Sequence, residues 1–338
     1  MSSPLTLPSW SPQQAAALHG LRTALSGFAP TFGQAQLIAE RSQVPSDGIP
    51  EGIHISCELA PPSIQLLASI HSNSIQAGQV PVFFYSSGPS GSSADAKNDA
   101  KVILHVHGGG GVSGHPAEQR FVGFFSRMLR ALGEKFAAQG SSTPIIAAPS
   151  YRLATVAENI FPAALQDLFS VYHHLILQGF VAENITIAGD SAGGNLALIL
   201  TYIISQSTLT MPGRVVVFSP DADLTYASST SVPHDIFPLS TYQACSSQYL
   251  GNFSANSPLA SSSLIPFTAS WPKTLVVTGT ADNVAESSRR LVAGIKEPGG
   301  EAELVEYADL THGWWMFAHI FTTQSDDGLE RLAAFVHD

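Results

Sequence analysis

Basic residues are scarce in this chain. Fifteen Lys and Arg stand against 26 Asp and Glu in 338 residues, a formal net charge of −11. So few cations cannot neutralise a phosphate backbone, and no nucleic-acid partner is expected. Charge of either sign is sparse, 12% of residues against 44% hydrophobic, which is the balance of a globular chain with a large core. Cysteine is nearly missing. Cys57 and Cys245 lie far apart and read as free thiols in a reducing compartment rather than as a bridge. No uncharged apolar run reaches the length of a membrane span. Residues 1–20 lack the basic start and apolar core of a secretory leader, so a cytoplasmic location is expected. Without a leader, Asn184-Ile185-Thr186 and Asn252-Phe253-Ser254 read as chance matches to the glycosylation pattern. There is no internal repeat and no heptad pattern.

What is present centres on residues 185–198. Ile185-Thr186-Ile187-Ala188 suits a buried strand, and the run from Asn195 to Ile204 suits a buried helix. Between them stands Gly189-Asp190-Ser191-Ala192-Gly193, a G-x-S-x-G pattern. Alone it is weak, because a glycine-rich turn would look the same. Flanked by strand and helix it predicts a nucleophile elbow, with glycines where side chains would clash in the turn.

The rest of the chain alternates. Strands are expected at 53–59, 80–85, 102–106, 145–148, 185–188, 215–218, 275–278 and 302–307. Helices are expected at 13–25, 33–41, 118–138, 162–178, 195–204, 284–296 and 325–337, with an exposed loop at 86–100. Strands alternating with helices imply an α/β fold with a mostly parallel sheet, and strands apolar throughout imply cover on both faces. Residues 221–270 break the pattern. They are rich in Ser, Pro and Thr with scattered aromatics, too long for an ordinary loop, and read with residues 1–50 as a lid.

A serine nucleophile needs a base, an orienting acid and an oxyanion hole. Of the twelve histidines, His312 lies in Asp309-Leu310-Thr311-His312-Gly313, just past the last expected strand, where a base could face the elbow. His173 and His174 fall on a helix. His105 and His107 share one face of a strand, but no further ligands at suitable spacing complete a metal site, so no metal is expected. Asp282, at the end of the penultimate strand, is the expected acid, and the order Ser, Asp, His is that of α/β-hydrolases. Glu286 and Asp309 are the runners-up, and Asp309 more simply shapes its own loop. Asp190 adjoins the nucleophile and reads as a structural hydrogen-bonding residue. Gly108-Gly109-Gly110-Gly111 follows a strand and lets backbone N–H groups approach developing negative charge. The Ala192 N–H, first in the elbow helix, is a further donor. No phosphate-binding pattern accompanies these glycines.

Four motifs in order carry a family resemblance. They are His107-Gly108-Gly109-Gly110; Tyr151-Arg152-Leu153-Ala154 with Phe161 to Asp167; Gly189-Asp190-Ser191-Ala192-Gly193-Gly194-Asn195; and His312-Gly313. The chain from about residue 80 resembles the hormonesensitive-lipase branch of the α/β-hydrolases, the carboxylesterase and arylacetamide-deacetylase-like serine hydrolases. The resemblance implies an eight-stranded α/β-hydrolase sheet with a helical cap. It implies Ser191, Asp282 and His312 as triad, and Gly109, Gly110 and Ala192 as oxyanion donors. It also implies a cap of residues 1–45 with 225–265 on a core of 46–224 with 266–338. Two departures stand out. The usual Pro-Glu after Tyr-Arg-Leu-Ala is replaced by a longer stretch from Thr155. The usual Asp-Pro-Leu at the acid reads Asp282-Asn283-Val284.

The expected activity is cleavage of a carboxylic ester of a small-to-medium apolar substrate through an acyl-enzyme, without cofactor. An acyltransferase, thioesterase or cyclising release enzyme would use the same triad. A non-catalytic ligand-binding protein is the reading from another class, although Ser191, Asp282 and His312 are all kept. Partners beyond the small-molecule ester or acyl substrate are not indicated, and a homodimer is left open.

Overall fold

The computed structural model describes residues 6–66, 75–88, 100–227, 229 and 231–338. Much of the expected 86–100 loop, residues 1–5 of the expected cap, and positions 228 and 230 lie outside the described residues.

Eight strands form one sheet: β1 His54–Ala60, β2 Val80–Ser86, β3 Val102–Val106, β4 Ile145–Pro149, β5 Ile185–Asp190, β6 Arg214–Phe218, β7 Lys273–Gly279 and β8 Ala302–Tyr307. Their order is β1-β2-β4-β3-β5-β6-β7-β8. β2 runs antiparallel to both β1 and β4, and every other pairing is parallel. All eight expected strands are present, within about two residues at each end.

The helices are α1 Pro12–Leu25, α2 Ile38–Arg41, α3 Gln119–Ala137, α4 Ala163–Leu177, α5 Ala192–Ser205, α6 Leu239–Leu250, α7 Ala285–Lys296 and α8 Thr322–His337. Strand residues alternate between two apolar layers. Phe83, Tyr85, Ile103 and Ile146 pack with Phe124, Phe125, Leu129 and Leu332 of α3 and α8. Val82, Phe84, Leu104 and Ile187 pack with Leu168, Leu196, Leu200 and Leu291 of α4, α5 and α7. With both faces covered, β2, β3 and β5 are buried along their whole length.

Two helices differ from expectation. The helix expected at 33–41 is only the single turn of α2. Gly33 sends its N–H out to the Thr155 carbonyl at 2.7 Å, and the turn starts after Leu37, whose N–H donates to Glu40 Oε2 at 2.9 Å. Within the 221–270 insertion lies a helix that periodicity does not reveal, α6, entered at Pro238 and closed by Gly251 at φ 56°. α1 begins as expected: Ser11 caps Gln14, the Gln14 side chain returns the bond, and Pro12 takes the first helical position. Among the described residues no helix is long and apolar enough to cross a membrane.

Candidate active site

Ser191, at the junction of β5 and α5, takes φ 54° and ψ −126°. This is backbone that a non-glycine residue adopts only when its surroundings hold it there, at a cost of roughly 1–3 kcal/mol. The surroundings are visible. Ser191 N–H donates to the Phe218 carbonyl at 2.9 Å, and Asp221 N–H donates to the Ser191 carbonyl at 3.1 Å. The two elbow glycines have no room for a side chain. A Cβ on Gly189 would lie 2.4 Å from the Gly193 carbonyl oxygen, and one on Gly193 would lie 2.2 Å from that of Val106.

Ser191, Asp282 and His312 converge from the carboxyl ends of β5, β7 and β8. His312 Nε2 is 2.8 Å from Ser191 Oγ. His312 Nδ1 is 3.1 Å from both Asp282 oxygens. His312 is also walled by rings: Tyr242, Trp315 and Phe237 centroids lie 5.3, 5.5 and 6.2 Å from its own. Burial acts to lower its pKa. The Asp282 charge and hydrogen bond, then Asp235 and Asp221, outweigh burial and push it up to about 9.

Asp235 has no signal in the sequence beyond being an isolated acid in a polar stretch. It is fully buried beside His312 and Asn283, and burial followed by the Asp282 charge raises it to about 6. Oδ1 accepts from the His312 and Ile236 N–H groups, and Oδ2 accepts from the Tyr242 hydroxyl and from Asn283. Asp235 therefore joins the 221–270 insertion to both the acid loop and the histidine loop.

The glycine loop after β3 stands against the elbow. Gly109 has φ 124°, and a Cβ there would meet the Ser113 carbonyl oxygen at 2.1 Å. Gly109 and Gly110 line one cavity with Ser191 and His312, and Ala192 lines an adjoining void with Gly110. Asp190 takes the structural place expected of it. Its Oδ1 accepts the Gly108 N–H at 3.0 Å, joining elbow to glycine loop.

The remaining motif residues build the frame. The Tyr151 hydroxyl donates to the His107 carbonyl at 2.7 Å, and its ring stacks on His107. Arg152 donates through its N–H and its Nε to the buried Asp167 carboxylate. His105 is enclosed by Phe124 and Phe125, and burial lowers its pKa to about 3. It is neutral, so its 3.8 Å approach to Asp190 is not an ion pair. Asp309 bonds Ser9 and holds φ 60° in its loop, while Glu286 pairs with Arg289 at the surface. Neither runner-up contacts the histidine ring. Among the described residues no three His, Cys, Asp or Glu side chains gather as a metal site would require.

The cavity over Ser191 has a volume of about 480 Å3. It is lined by Leu21, Leu25 and Phe28 of α1 and its C-terminal extension, by Phe237, Tyr242 and Cys245 of the 221–270 insertion, and by Trp315, Met316 and Phe317 after His312. Glu118 and Arg120, paired at 2.7 Å, are its charged rim.

Residues 103–316 match the model of a family described by the alpha/beta hydrolase fold. The chain is 26% identical over 245 residues to an acetyl-hydrolase of Streptomyces hygroscopicus, covering 71% of this chain and 77% of the relative. It is 28% identical over 240 residues to an esterase of Acinetobacter venetianus, covering 69% and 72%. Human hormone-sensitive lipase is 32% identical over 164 residues, 46% of this chain and 14% of that protein. A solved esterase of the bacterial hormone-sensitive lipase family superposes with TM-score 0.71 at 22% identity, over 97% of this chain and 98% of the other.

Proposed function

The chain belongs to the α/β-hydrolase fold family, and from that premise we propose that it is of the hormone-sensitive-lipase-like branch and hydrolyses carboxylic esters through Ser191. The observation that carries the reading is the unbroken line of contacts from Ser191 Oγ through His312 Nε2 and Nδ1 to the Asp282 carboxylate.

In this reading the Ser191 hydroxyl gives its proton to His312 Nε2 as its oxygen bonds the ester carbonyl carbon. Asp282 holds the imidazole tautomer and stabilises the imidazolium. The carbonyl oxygen takes the negative charge against the N–H groups of Gly109, Gly110 and Ala192. The alcohol oxygen leaves with the proton from His312, giving an acyl-serine. Water, deprotonated by His312, adds to that acyl carbon, and Ser191 leaves with the proton restored. The apolar cavity suits a small-to-medium apolar alcohol. Residues 1–45 and 225–265 serve as the cap and the remainder as the core. The acetyl-hydrolase and esterase relatives support ester hydrolysis. A fluorophosphonate probe should label the native protein and not Ser191→Ala, alongside turnover on an ester panel. A probe that labels both equally, or neither, defeats the reading.

A further inference from the structure

The wide cavity and the void beside it share two residues, Gly110 and Asp221. The void measures about 10 Å3, with Gly111, Ala192, Leu196, Leu224 and Tyr249 among its lining. It has room for one water-sized group. Two buried polar atoms of its lining residues have no hydrogen-bond partner, Asp221 Oδ1 and the Tyr249 hydroxyl. The other Asp221 oxygen is occupied by the Tyr226 hydroxyl at 2.7 Å. The remaining polar lining is satisfied. Asn195 donates to the Ala260 carbonyl and accepts from Ser262 N–H, and Ser246 donates to the Gln243 carbonyl. Asp221 is 5% exposed, so leaving its oxygen unpaired is costly unless a ligand supplies the partner.

The chemistry of the proposed reaction orients an ester here. The leaving oxygen must receive its proton from His312 Nε2, so the alcohol extends along Trp315, Met316 and Phe317. The carbonyl oxygen must face Gly109, Gly110 and Ala192. The acyl chain then points away from His312, toward the void that Asp221 borders.

We infer that Asp221 is a specificity-determining residue, selecting esters whose short acyl group carries a hydrogen-bond donor, a hydroxyl or an ammonium, one or two carbons from the carbonyl. The inference rests on the serine-esterase reading. A donor in that position meets the free Asp221 oxygen, and a hydroxyl can also bond Tyr249. A plain alkyl group there leaves both polar groups buried and unpaired. Sites built to bond a substrate hydroxyl reject the analogue lacking it far more strongly than apolar pockets reject one methylene. Burial also raises the Asp221 carboxyl to about 7, so both its acceptor form and its donor form are populated near neutrality. A hydroxyl pairs with either form, whereas an ammonium pairs with the ionised one.

The test uses the full chain and three ethyl esters: hydroxyacetate, aminoacetate and propionate, which matches them in shape and lacks the donor. kcat/KM is measured for the unaltered protein, Asp221→Asn and Asp221→Val. The unaltered protein should prefer hydroxyacetate or aminoacetate to propionate by at least about tenfold. Asp221→Val should erase that ratio. Asp221→Asn should keep part of a hydroxyl preference and lose an ammonium preference, which distinguishes the two donors. Both ratios compare acyl groups of one shape on one protein, so a purely structural role for Asp221 would not move them. Equal rates on all three esters, or a ratio that survives Asp221→Val, overturns the inference; equal rates are also what a resident water alone would give. If a variant does not fold, the ratio in the unaltered protein decides. Fluorophosphonate labelling separates the two levels. A labelled protein without acyl discrimination overturns this inference alone, and an unlabelled one overturns the esterase reading beneath it.

Discussion

Asn283 donates twice to Asp235 Oδ2, from its backbone N–H at 2.9 Å and its side-chain amide at 2.8 Å. A proline, usual after the acid in the resembled family, could make neither bond. Asn283 reaches further still: its amide donates to the Phe237 carbonyl at 2.9 Å and its Oδ1 accepts the Val232 N–H at 2.8 Å. The departure from Asp-Pro-Leu is therefore matched by a buried carboxylate on the insertion that receives it.

Asp235→Ala should both destabilise the protein and slow it. It strands buried donors on Asn283, Tyr242, Ile236 and His312, each costing about 1–3 kcal/mol when unpaired. Together they put the expected loss at about 4 kcal/mol or more. A lowered melting temperature and a fall in kcat exceeding any rise in KM would report it. Asn283→Ala should be milder, since the backbone bond survives. Unchanged melting in Asp235→Ala would show that the clamp carries no weight.

Activity should climb with pH. His312 must be neutral to accept the Ser191 proton, and its pKa is pushed up to about 9. Below that value the neutral fraction grows about tenfold per pH unit, so kcat/KM should rise with pH through neutrality and level off near 9. Asp235→Asn removes one of the negative charges that raise His312, so its rising limb should lie at lower pH. A flat profile in kcat/KM between pH 6 and 9 would count against His312 as the base.

The proposed nucleophile and the proposed oxyanion loop should fail in different ways. Ser191→Ala should cost at least about a thousandfold in kcat with the fold intact. Gly109→Ala should cost about a hundredfold or more, because its Cβ would press on the Ser113 carbonyl at 2.1 Å and displace the loop. Circular dichroism and probe labelling distinguish them: the first variant should be folded and unlabelled, the second labelled slowly. Near-normal turnover in Ser191→Ala would end the mechanism.

The sheet and the turn at Ser191 were legible in the sequence because local signals and tertiary demands agree there. Apolar runs bounded by turns are strands wherever both faces are covered, and the glycines beside Ser191 and after β3 stand where no side chain fits. The insertion was harder to read. α6 is a Ser- and Gln-containing helix whose buried face rests on Tyr242, Cys245 and Tyr249, too weak a period to stand out. Pro238 before it and Gly251 after it were the available markers. Asp235 could not have been singled out, since its partners Asn283 and His312 lie 48 and 77 residues away. The 33–41 stretch failed for another reason: Gly33 bonds Thr155 instead of opening a helix.

The N-terminal segment reaches the cavity over Ser191. Its helix α1 is fastened to the histidine side of the site. The Trp10 indole N–H donates to the Asp309 carbonyl at 2.8 Å, Gln14 donates to the Ile320 carbonyl at 3.0 Å, and Arg22 bonds the Pro233 carbonyl. These anchors bring Leu21, Leu25 and Phe28 into the same cavity as Trp315, Met316 and Phe317, along which the proposed reaction extends the alcohol. Phe28 is 38% exposed, as suits a residue at an opening. Leu25→Ala and Phe28→Ala should therefore change the ranking of esters that differ in the alcohol, with little effect on those that differ only in the acyl group. Removing residues 1–45 should collapse alcohol selectivity while Ser191 still reacts with a small phosphonate, because Ser191, Asp282, His312 and the glycine loop all lie outside the removed segment. The comparison is an ester panel graded by alcohol size, run beside probe labelling. A folded truncated protein with an unaltered rank order would remove α1 from the pocket. If truncation causes aggregation, the two single substitutions carry the same test, since neither side chain makes the anchoring bonds.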